Sequence, residues 1–161
     1  MVESTYRIGN GFDVHRLASG RTLVLGGVQI DHPMGLEGHS DADVLLHALC
    51  DAILGAISLG DIGQHFPSDD PQFKDVSSLV LLEKVNAMLR QDKWRVANVD
   101  ITVICEQPKI APYADRIREN IAPILDLPLD AVSIKGTTTE KLGFTGREEG
   151  IAAMAVALVS R

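Results

Sequence analysis

The stretch Val96-Ala97-Asn98-Val99-Asp100-Ile101-Thr102-Val103-Ile104-Cys105, with YADRIRENIAPIL (Tyr113–Leu125) and Val132-Ser133-Ile134-Lys135 after it, decides the fold. It reads as strand, helix and strand, a ferredoxin-like βαβ unit with its helix laid on one face of the sheet. Upstream, Val76–Asp92 is a helix with Leu79, Leu82, Val85, Met88 and Leu89 at helical spacing. A Gly/Asp/Pro-rich loop covers Gly60–Asp75, and a long helix runs from Ser40 to about Leu59. Thr22–Ile30 reads as a hairpin with Gly26-Gly27 as a kink or bulge. Tyr6–Val14 is a first strand and Ile151–Val159 a last, buried one. Two stretches thus fit strand–helix–strand units, and the outer strands can extend the same sheet. The predicted fold is α+β, an α/β sandwich: a single mixed sheet with helices packed on one face, one domain over residues 1–161.

Composition agrees with a folded enzyme and excludes other classes. Of 161 residues, 45% are apolar but only 4% aromatic, so the core must be aliphatic. A net charge of −7 argues against a nucleic-acid binder. An acidic chain can still bind an anion, but needs a local device such as a metal, a few Lys or Arg, or a helix N-terminus. Cys50 and Cys105 lie far apart, with no disulfide framework and no cysteine-based zinc spacing. The longest apolar run, Ile151–Val159, is about half a membrane span. No basic and apolar leader precedes Tyr6, so no membrane partner is expected and a reducing cytosol is the expected compartment.

Four groups of residues carry chemistry. In Asp13-Val14-His15, the carboxylate and the imidazole share one face of a strand, since residues two apart point the same way. Asp-x-His also arises by chance, as a surface pair at a strand end. The second group is His39-Ser40-Asp41-Ala42-Asp43-Val44-Leu45-Leu46-His47, continuing to Asp51. Ser40 is a good N-cap, with Asp43 completing something like a capping box. Ser40, Asp43, His47 and Asp51 fall within about an 80° stripe of an otherwise apolar helix. A half-buried His flanked by carboxylates either ligates a metal, with one carboxylate on its other nitrogen, or satisfies itself as a His–Asp pair. Together, Asp13, His15 and His47 supply three ligands with an open fourth position, the pattern of a catalytic zinc.

The third group is the loop Gly60-Asp61-Ile62-Gly63-Gln64-His65-Phe66-Pro67-Ser68-Asp69-Asp70-Pro71, long enough to suggest function. Its carboxylates suit sugar hydroxyls, or an acidic surface turn. The fourth is Lys135-Gly136-Thr137-Thr138-Thr139-Glu140-Lys141, leaving a strand. Its N–H groups and hydroxyls suit a phosphate, and Glu140 suits a hard cation. A plain turn with a capping role fits it as well.

Phe12-Asp13-Val14-His15, His39-Ser40-Asp41-Ala42-Asp43, Gly60-Asp61-Ile62-Gly63, Gln107-Pro108-Lys109 and Thr137-Thr138-Thr139-Glu140-Lys141-Leu142-Gly143-Phe144-Thr145-Gly146-Arg147 resemble the 2-C-methyl-D-erythritol 2,4-cyclodiphosphate synthases. The resemblance runs in order over nearly the whole chain. It implies conversion of 4-diphosphocytidyl-2-C-methyl-D-erythritol 2-phosphate to the cyclic diphosphate with release of CMP, in the non-mevalonate route to isoprenoids. It implies zinc on Asp13, His15 and His47, and magnesium or manganese on Glu140. His39 and Thr138 are implied as transition-state stabilisers, with Ser40 on the substrate. Asp61 and Gly63 would hold the ribose, and Phe66 to Asp70 the erythritol side. Cys105 to Ala111, including Pro108 and Lys109, with Gly136, Thr137 and Thr138, would form the cytidine pocket.

The family is a homotrimer with sites between subunits and a central cavity near Phe144, Arg147 and Glu149. That cavity is a place for an isoprenoid diphosphate. A bacterial cytosol, or a plastid stroma after loss of a transit peptide, is the implied compartment. Some relatives are fused to a cytidylyltransferase, for which 161 residues leave no room. Asn10, Gln64 and Ser68 stand where His, Lys and Asp are common in the family. Two other readings use the same residues: a zinc-dependent nucleotide-diphosphate hydrolase, and a non-catalytic isoprenoid-diphosphate binder.

Overall fold

The structure, a computed structural model, describes residues 5–161. In chain order its strands are β1 (Tyr6–Ser19), β2 (Leu23–Leu25), β3 (Val28–Ile30), β4 (Met34–Leu36), β5 (Arg95–Ile104), β6 (Val132–Thr137) and β7 (Gly150–Ser160). The helices are α1 (Val44–Ala56), α2 (Ile62–His65), α3 (Ser78–Gln91), α4 (Ala114–Leu125) and α5 (Gly143–Gly146). Five strands form one sheet in the order β4-β1-β7-β5-β6, and β2-β3 is a separate hairpin. β7 is antiparallel to both β1 and β5, while β5 and β6 are parallel. β1 and β5 therefore run the same way with β7 inserted between them, a split βαβ. The mixed sheet with helices on one face is the predicted fold.

Helix α1 lies directly on the sheet, with α3 on its other side. Every residue of it except Asp51 and Gly55 is buried, which explains its almost continuous apolar sequence. The contact with β1 is unusually close. A Cβ at Gly9 would stand 2.0 Å from the Ala52 carbonyl oxygen, and one at Gly11 only 1.9 Å from that of Ala48. Hydrogen in place of a side chain lets the helix rest on the strand backbone. Among the described residues, none of the long helices α1, α3 or α4 covers the opposite face of the sheet. There Ile8, Phe12, Met154 and Val156 stand exposed, Ile8 at 70% and Phe12 at 54%.

Several predicted boundaries are corrected. β1 continues to Ser19, because it pairs with β7 through Arg16 and with β4 from Leu17 to Ser19. Gly26 and Gly27 form the two-residue turn of the β2–β3 hairpin, both with positive φ, rather than a kink or bulge. α1 starts at Val44 and ends at Ala56. Its N-cap is Asp43, whose carboxylate accepts from Leu46 N at 3.2 Å, so Ser40 is not the cap and the expected capping box does not form. The Gly60–Asp75 segment contains α2 and a short 3-10 turn at Pro71–Phe73, and α5 was not expected. Both cysteines are buried and unpaired, as expected. No helix among the described residues is long and apolar enough to cross a membrane.

Two glycines of the β1–α1 contact should respond oppositely to the same change. Gly11→Ala forces backbone apart and should cost about 3 kcal/mol or more in urea unfolding. Gly55 of α1 has open space around its Cβ position, with nothing nearer than 3.9 Å. Gly55→Ala should raise stability by about 0.5–1 kcal/mol through helix propensity.

Candidate active site

Gly9, Gly11, Asp13 and His15 lie on the same side of β1, the side that α1 covers. The close approach at Ala48 brings the neighbouring His47 against the strand. Asp13 Oδ2 stands 3.0 Å from His15 Nε2 and 3.1 Å from His47 Nδ1, and the two nitrogens are 3.1 Å apart. A tetrahedral ion with bonds of about 2.0–2.1 Å has ligand–ligand edges of about 3.3–3.4 Å, close to this triangle. His15 Nδ1 donates to the carbonyl oxygen of Glu37 at 2.6 Å, which leaves Nε2 as the nitrogen that would ligate a metal once its proton is displaced. The three donor atoms suit a divalent cation, and the residues fit a metal.

Electrostatics agree. Burial alone would raise the Asp13 carboxyl, but hydrogen bonds from His15 and His47 and their charges hold it well below the usual carboxylate range. Burial alone would lower His15, but its bond to Asp13 and that carboxylate's charge hold it above the usual imidazole value.

The expected polar stripe on α1 is dispersed. Asp43 is fully buried and accepts from Gly26 N at 3.0 Å and Gly27 N at 2.8 Å, clamping the β2–β3 turn to the helix. Burial and the charge of Asp41 push its carboxyl up to about 6 against these bonds. Asp51 accepts from Ile62 N at 2.8 Å and holds α2 in place. Neither carboxylate serves His47, whose Nε2 faces Ser40 Oγ at 3.1 Å and Ser78 Oγ at 3.0 Å.

His15 and His47 open into a cleft of about 580 Å³ shared with His39, Ser40, Gly63, Phe66 and Ser68. His39 Nε2 donates to the Asp70 carbonyl at 3.3 Å. Asp61 caps α2 through Gln64 N at 3.1 Å and also accepts from the Gln64 side chain at 2.8 Å. Asp70 caps the following 3-10 turn through Gln72 N at 3.0 Å. Phe66 meets Phe73 edge-on with centroids 5.3 Å apart, which anchors the loop.

A second cleft, of about 230 Å³, lies at the far edge of the sheet. Cys105, Pro108, Lys109, Ala111, Gly136, Thr137 and Thr138 all line it. Burial and the charge of Glu106 push the Cys105 thiol up to about 11, so it is no nucleophile. Glu106 accepts from Thr139 N at 3.1 Å and Lys141 N at 3.3 Å, tying the two loops together. Glu140 and Lys141 both adopt positive φ there, and Glu140 N donates to Thr138 Oγ1 at 3.2 Å. Phe144 borders a shallow depression with Val14, His15 and Glu149, and Arg147 donates to Glu149 Oε1 at 2.7 Å. Among the described residues, none lines both of these clefts.

Sequence reasoning missed Ser78, and it missed the contacts that Asp41 and Glu106 make, though both lie in stretches it singled out. Asp41 and Ser78 lie 37 residues apart, and no local pattern pairs them. The only signal was a serine pair, Ser77-Ser78, at a helix start.

The model of the YgbB family matches residues 6–160. The chain is 58% identical over 155 residues to the 2-C-methyl-D-erythritol 2,4-cyclodiphosphate synthase of Syntrophomonas wolfei, covering 96% of this chain and 99% of that one. It is 60% identical over 153 residues to the enzyme of the same name from Azotobacter vinelandii, covering 95% and 98%. Among solved structures, it superposes on the CDP complex of Plasmodium falciparum IspF with a TM-score of 0.84 and 35% identity, covering 96% and 95% of the two chains. It also superposes on the bifunctional IspDF of Campylobacter jejuni with a TM-score of 0.94 and 44% identity, covering 98% of this chain but 43% of that longer one.

The metal site carries a pH signature. In the metal-free chain His15 holds its proton to a pH above the ordinary imidazole value of 6.5. A metal must displace that proton, so apparent affinity for zinc, used as the probe, should be full at higher pH. It should fall as pH drops through the raised value, starting above 6.5. Calorimetric titrations in buffers of different ionisation enthalpy should detect proton release over that range. His47→Ala should abolish stoichiometric binding.

Proposed function

The chain belongs to the YgbB family, and on that premise we propose that it converts 4-diphosphocytidyl-2-C-methyl-D-erythritol 2-phosphate to 2-C-methyl-D-erythritol 2,4-cyclodiphosphate and CMP. An oxygen of the 2-phosphate attacks the β-phosphorus. The bond from that phosphorus to the bridging oxygen breaks, and CMP leaves with the electron pair. No water enters the products, which separates this reaction from a nucleotide-diphosphate hydrolase. The observation that carries the reading is the triangle of Asp13, His15 and His47 opening into the cleft with His39 and Ser40. A pure binder has no use for three converging lone pairs with an open fourth direction.

Asp13, His15 and His47 hold zinc in this reading. Bound there, zinc neutralises phosphate charge that an acidic chain cannot meet with side chains alone. Glu140 holds magnesium or manganese. His39 and Thr138 donate to oxygens on which charge develops, and Ser40 orients the same phosphate. Lys109 binds the diphosphate at the mouth of the second cleft, while Cys105, Pro108, Ala111, Gly136 and Thr137 enclose the cytosine. Asp61 and Gly63 take the ribose hydroxyls. Phe66 and Asp70 flank the erythritol. Much of this catalysis is positioning, as intramolecular phosphoryl transfer requires.

The two clefts open at different places on one chain, and the unhelical face of the sheet exposes Ile8, Phe12, Met154 and Val156. Both features support a trimer packed through that face, with each metal cleft completed by a neighbour's cytidine cleft. Phe144, Arg147 and Glu149 then border the central cavity, where Arg147 is the cation available to an isoprenoid diphosphate. The substrate and products are those of a cytoplasmic pathway enzyme.

Phosphorus NMR of the chain with the cytidyl substrate and divalent metal should show CMP and the cyclic product appearing together. An open-chain diphosphate labelled from water would favour the hydrolase instead. Thr138→Ala should lower kcat about 10²–10³-fold with a smaller change in KM, as loss of a transition-state donor does. A rise in KM alone would reduce Thr138 to a binding residue.

Site sharing is tested by mixing. His15→Ala and Lys109→Ala chains should each be nearly inactive. Unfolded together and refolded, they form mixed trimers in which one interface pairs an intact metal cleft with an intact cytidine cleft. Activity should return in part. Activity staying at the level of the separate mutants, with mixed trimers verified by native mass spectrometry, would rule the shared site out.

A further inference from the structure

Two serines lie behind His47, and the hydrogen bonds around them are not equivalent. Ser78, the first residue of α3, is fully buried. Its hydroxyl donates to Asp41 Oδ1 at 2.5 Å, and its backbone N–H donates to Oδ2 of the same carboxylate at 3.0 Å. Asp41 is itself fixed, because its N–H donates to the Val76 carbonyl at 3.2 Å and its Oδ1 accepts from Asp43 N at 3.2 Å. A hydroxyl has one proton, and an ionised carboxylate only accepts. Ser78 Oγ therefore has only a lone pair to offer His47 Nε2, 3.0 Å away. With a metal on Asp13, His15 and His47, the Nδ1 lone pair goes to the ion, so the ring proton sits on Nε2, facing the lone pair that Ser78 offers.

Ser40 Oγ stands 3.1 Å from the same Nε2 and accepts from Ala42 N at 3.2 Å. With Nε2 protonated, Ser40 cannot donate to the ring. Its own proton stays free, and Ser40 lines the cleft that His39 shares.

We infer that Ser78, locked by Asp41, is the positioning residue that sets the tautomer and aim of His47, and that this reserves the Ser40 hydroxyl as a donor to a phosphate oxygen of the substrate. The inference rests on the reading of Asp13, His15 and His47 as zinc ligands. It gives two adjacent serines separate tasks: Ser78 acts on the metal through His47, and Ser40 acts on the substrate. Outer partners of ligating histidines have this effect in metal sites generally.

Zinc affinity, measured on metal-free chains against a competing chelator, separates the two serines. Ser78→Ala should weaken zinc binding about 10- to 100-fold, the range for a lost outer partner. Asp41→Asn should shift it in the same direction. Ser78→Thr keeps the hydroxyl and should restore affinity. Ser40→Ala should keep near-wild-type affinity while losing kcat/KM. In the zinc-loaded chain, the His47 Nε2 proton should give a slowly exchanging resonance in long-range proton–nitrogen spectra, and Ser78→Ala should speed its exchange.

Wild-type zinc affinity in Ser78→Ala overturns the inference, as does a Ser40→Ala loss as large as that of Ser78→Ala. If Ser78→Ala does not fold, wild-type affinity in Asp41→Asn overturns it. A wild-type chain that takes up no zinc at all overturns the metal site itself, so the two failures are distinct.

Discussion

The rest of the structure depends on how closely α1 rests on β1. Gly9 and Gly11 present backbone alone, and the Ala48 and Ala52 carbonyls of the helix sit where their Cβ atoms would be. No other residue type allows that spacing. The next two residues on the same face of the strand are Asp13 and His15, and the residue beside Ala48 on the helix is His47. The contact that seats the helix thus also closes the ligand triangle. Its members stand on a strand paired to β7 over eleven positions and on a buried helix, not on loops. Ligands on rigid elements keep their geometry when the cleft empties and fills.

A chain of net charge −7 that handles a polyanion must keep its own carboxylates away from the phosphates. The hydrogen bonds show how that is arranged. Asp43 is turned to the Gly26, Gly27 and Leu46 N–H groups, Asp41 to Ser78, and Asp51 to Ile62 N. Asp61 and Asp70 face the N–H groups that start the next turns. Glu106 is spent on the Thr139 and Lys141 N–H groups. Each of these carboxylates has donors of its own. Asp13 differs: its partners are two imidazoles, and a cation between them is the partner that suits all three.

The legible part of the sequence was the part with local periodicity. β5, α4 and β6 read directly, because strand and helix periods are properties of neighbours along the chain. The Asp-x-His pair on β1 was legible for the same reason. The start of α1 was misread: Ser40 and Asp43 have the spacing of a cap and its partner, but Asp43 is drawn to a hairpin turn some seventeen residues upstream and becomes the cap itself. The clustering of Cys105, Lys109, Gly136 and Thr138 could be anticipated only through family resemblance, since the loop ends of β5 and β6 meet by sheet pairing. Ser78 and Asp41 were invisible because their contacts with each other and with His47 are tertiary, and a serine at a helix start already has an ordinary explanation.

In the proposed trimer, alternation along β1 would tie the metal site to assembly. Asp13 and His15 face α1, while Phe12 and Val14, interleaved with them, face the uncovered side of the sheet. The second cleft sits beyond β5 and β6, and β1 and β6 are three strand spacings apart, roughly 14 Å at about 4.8 Å each. Within one chain the Asp13–His15–His47 triangle and the second cleft are thus held apart by the width of the sheet. A second chain docked through the uncovered face can bring its own far edge beside the first chain's metal cleft, whereas bending one sheet cannot. In that arrangement the odd-numbered residues of Phe12–His15 hold the metal and the even-numbered ones hold the neighbour. A shift of one residue in the β1–β7 register would exchange the two sets, burying the ligands in the interface and turning phenylalanine toward the metal. In the proposed assembly, the long, unbroken pairing of β1 with β7 would guard both faces at once.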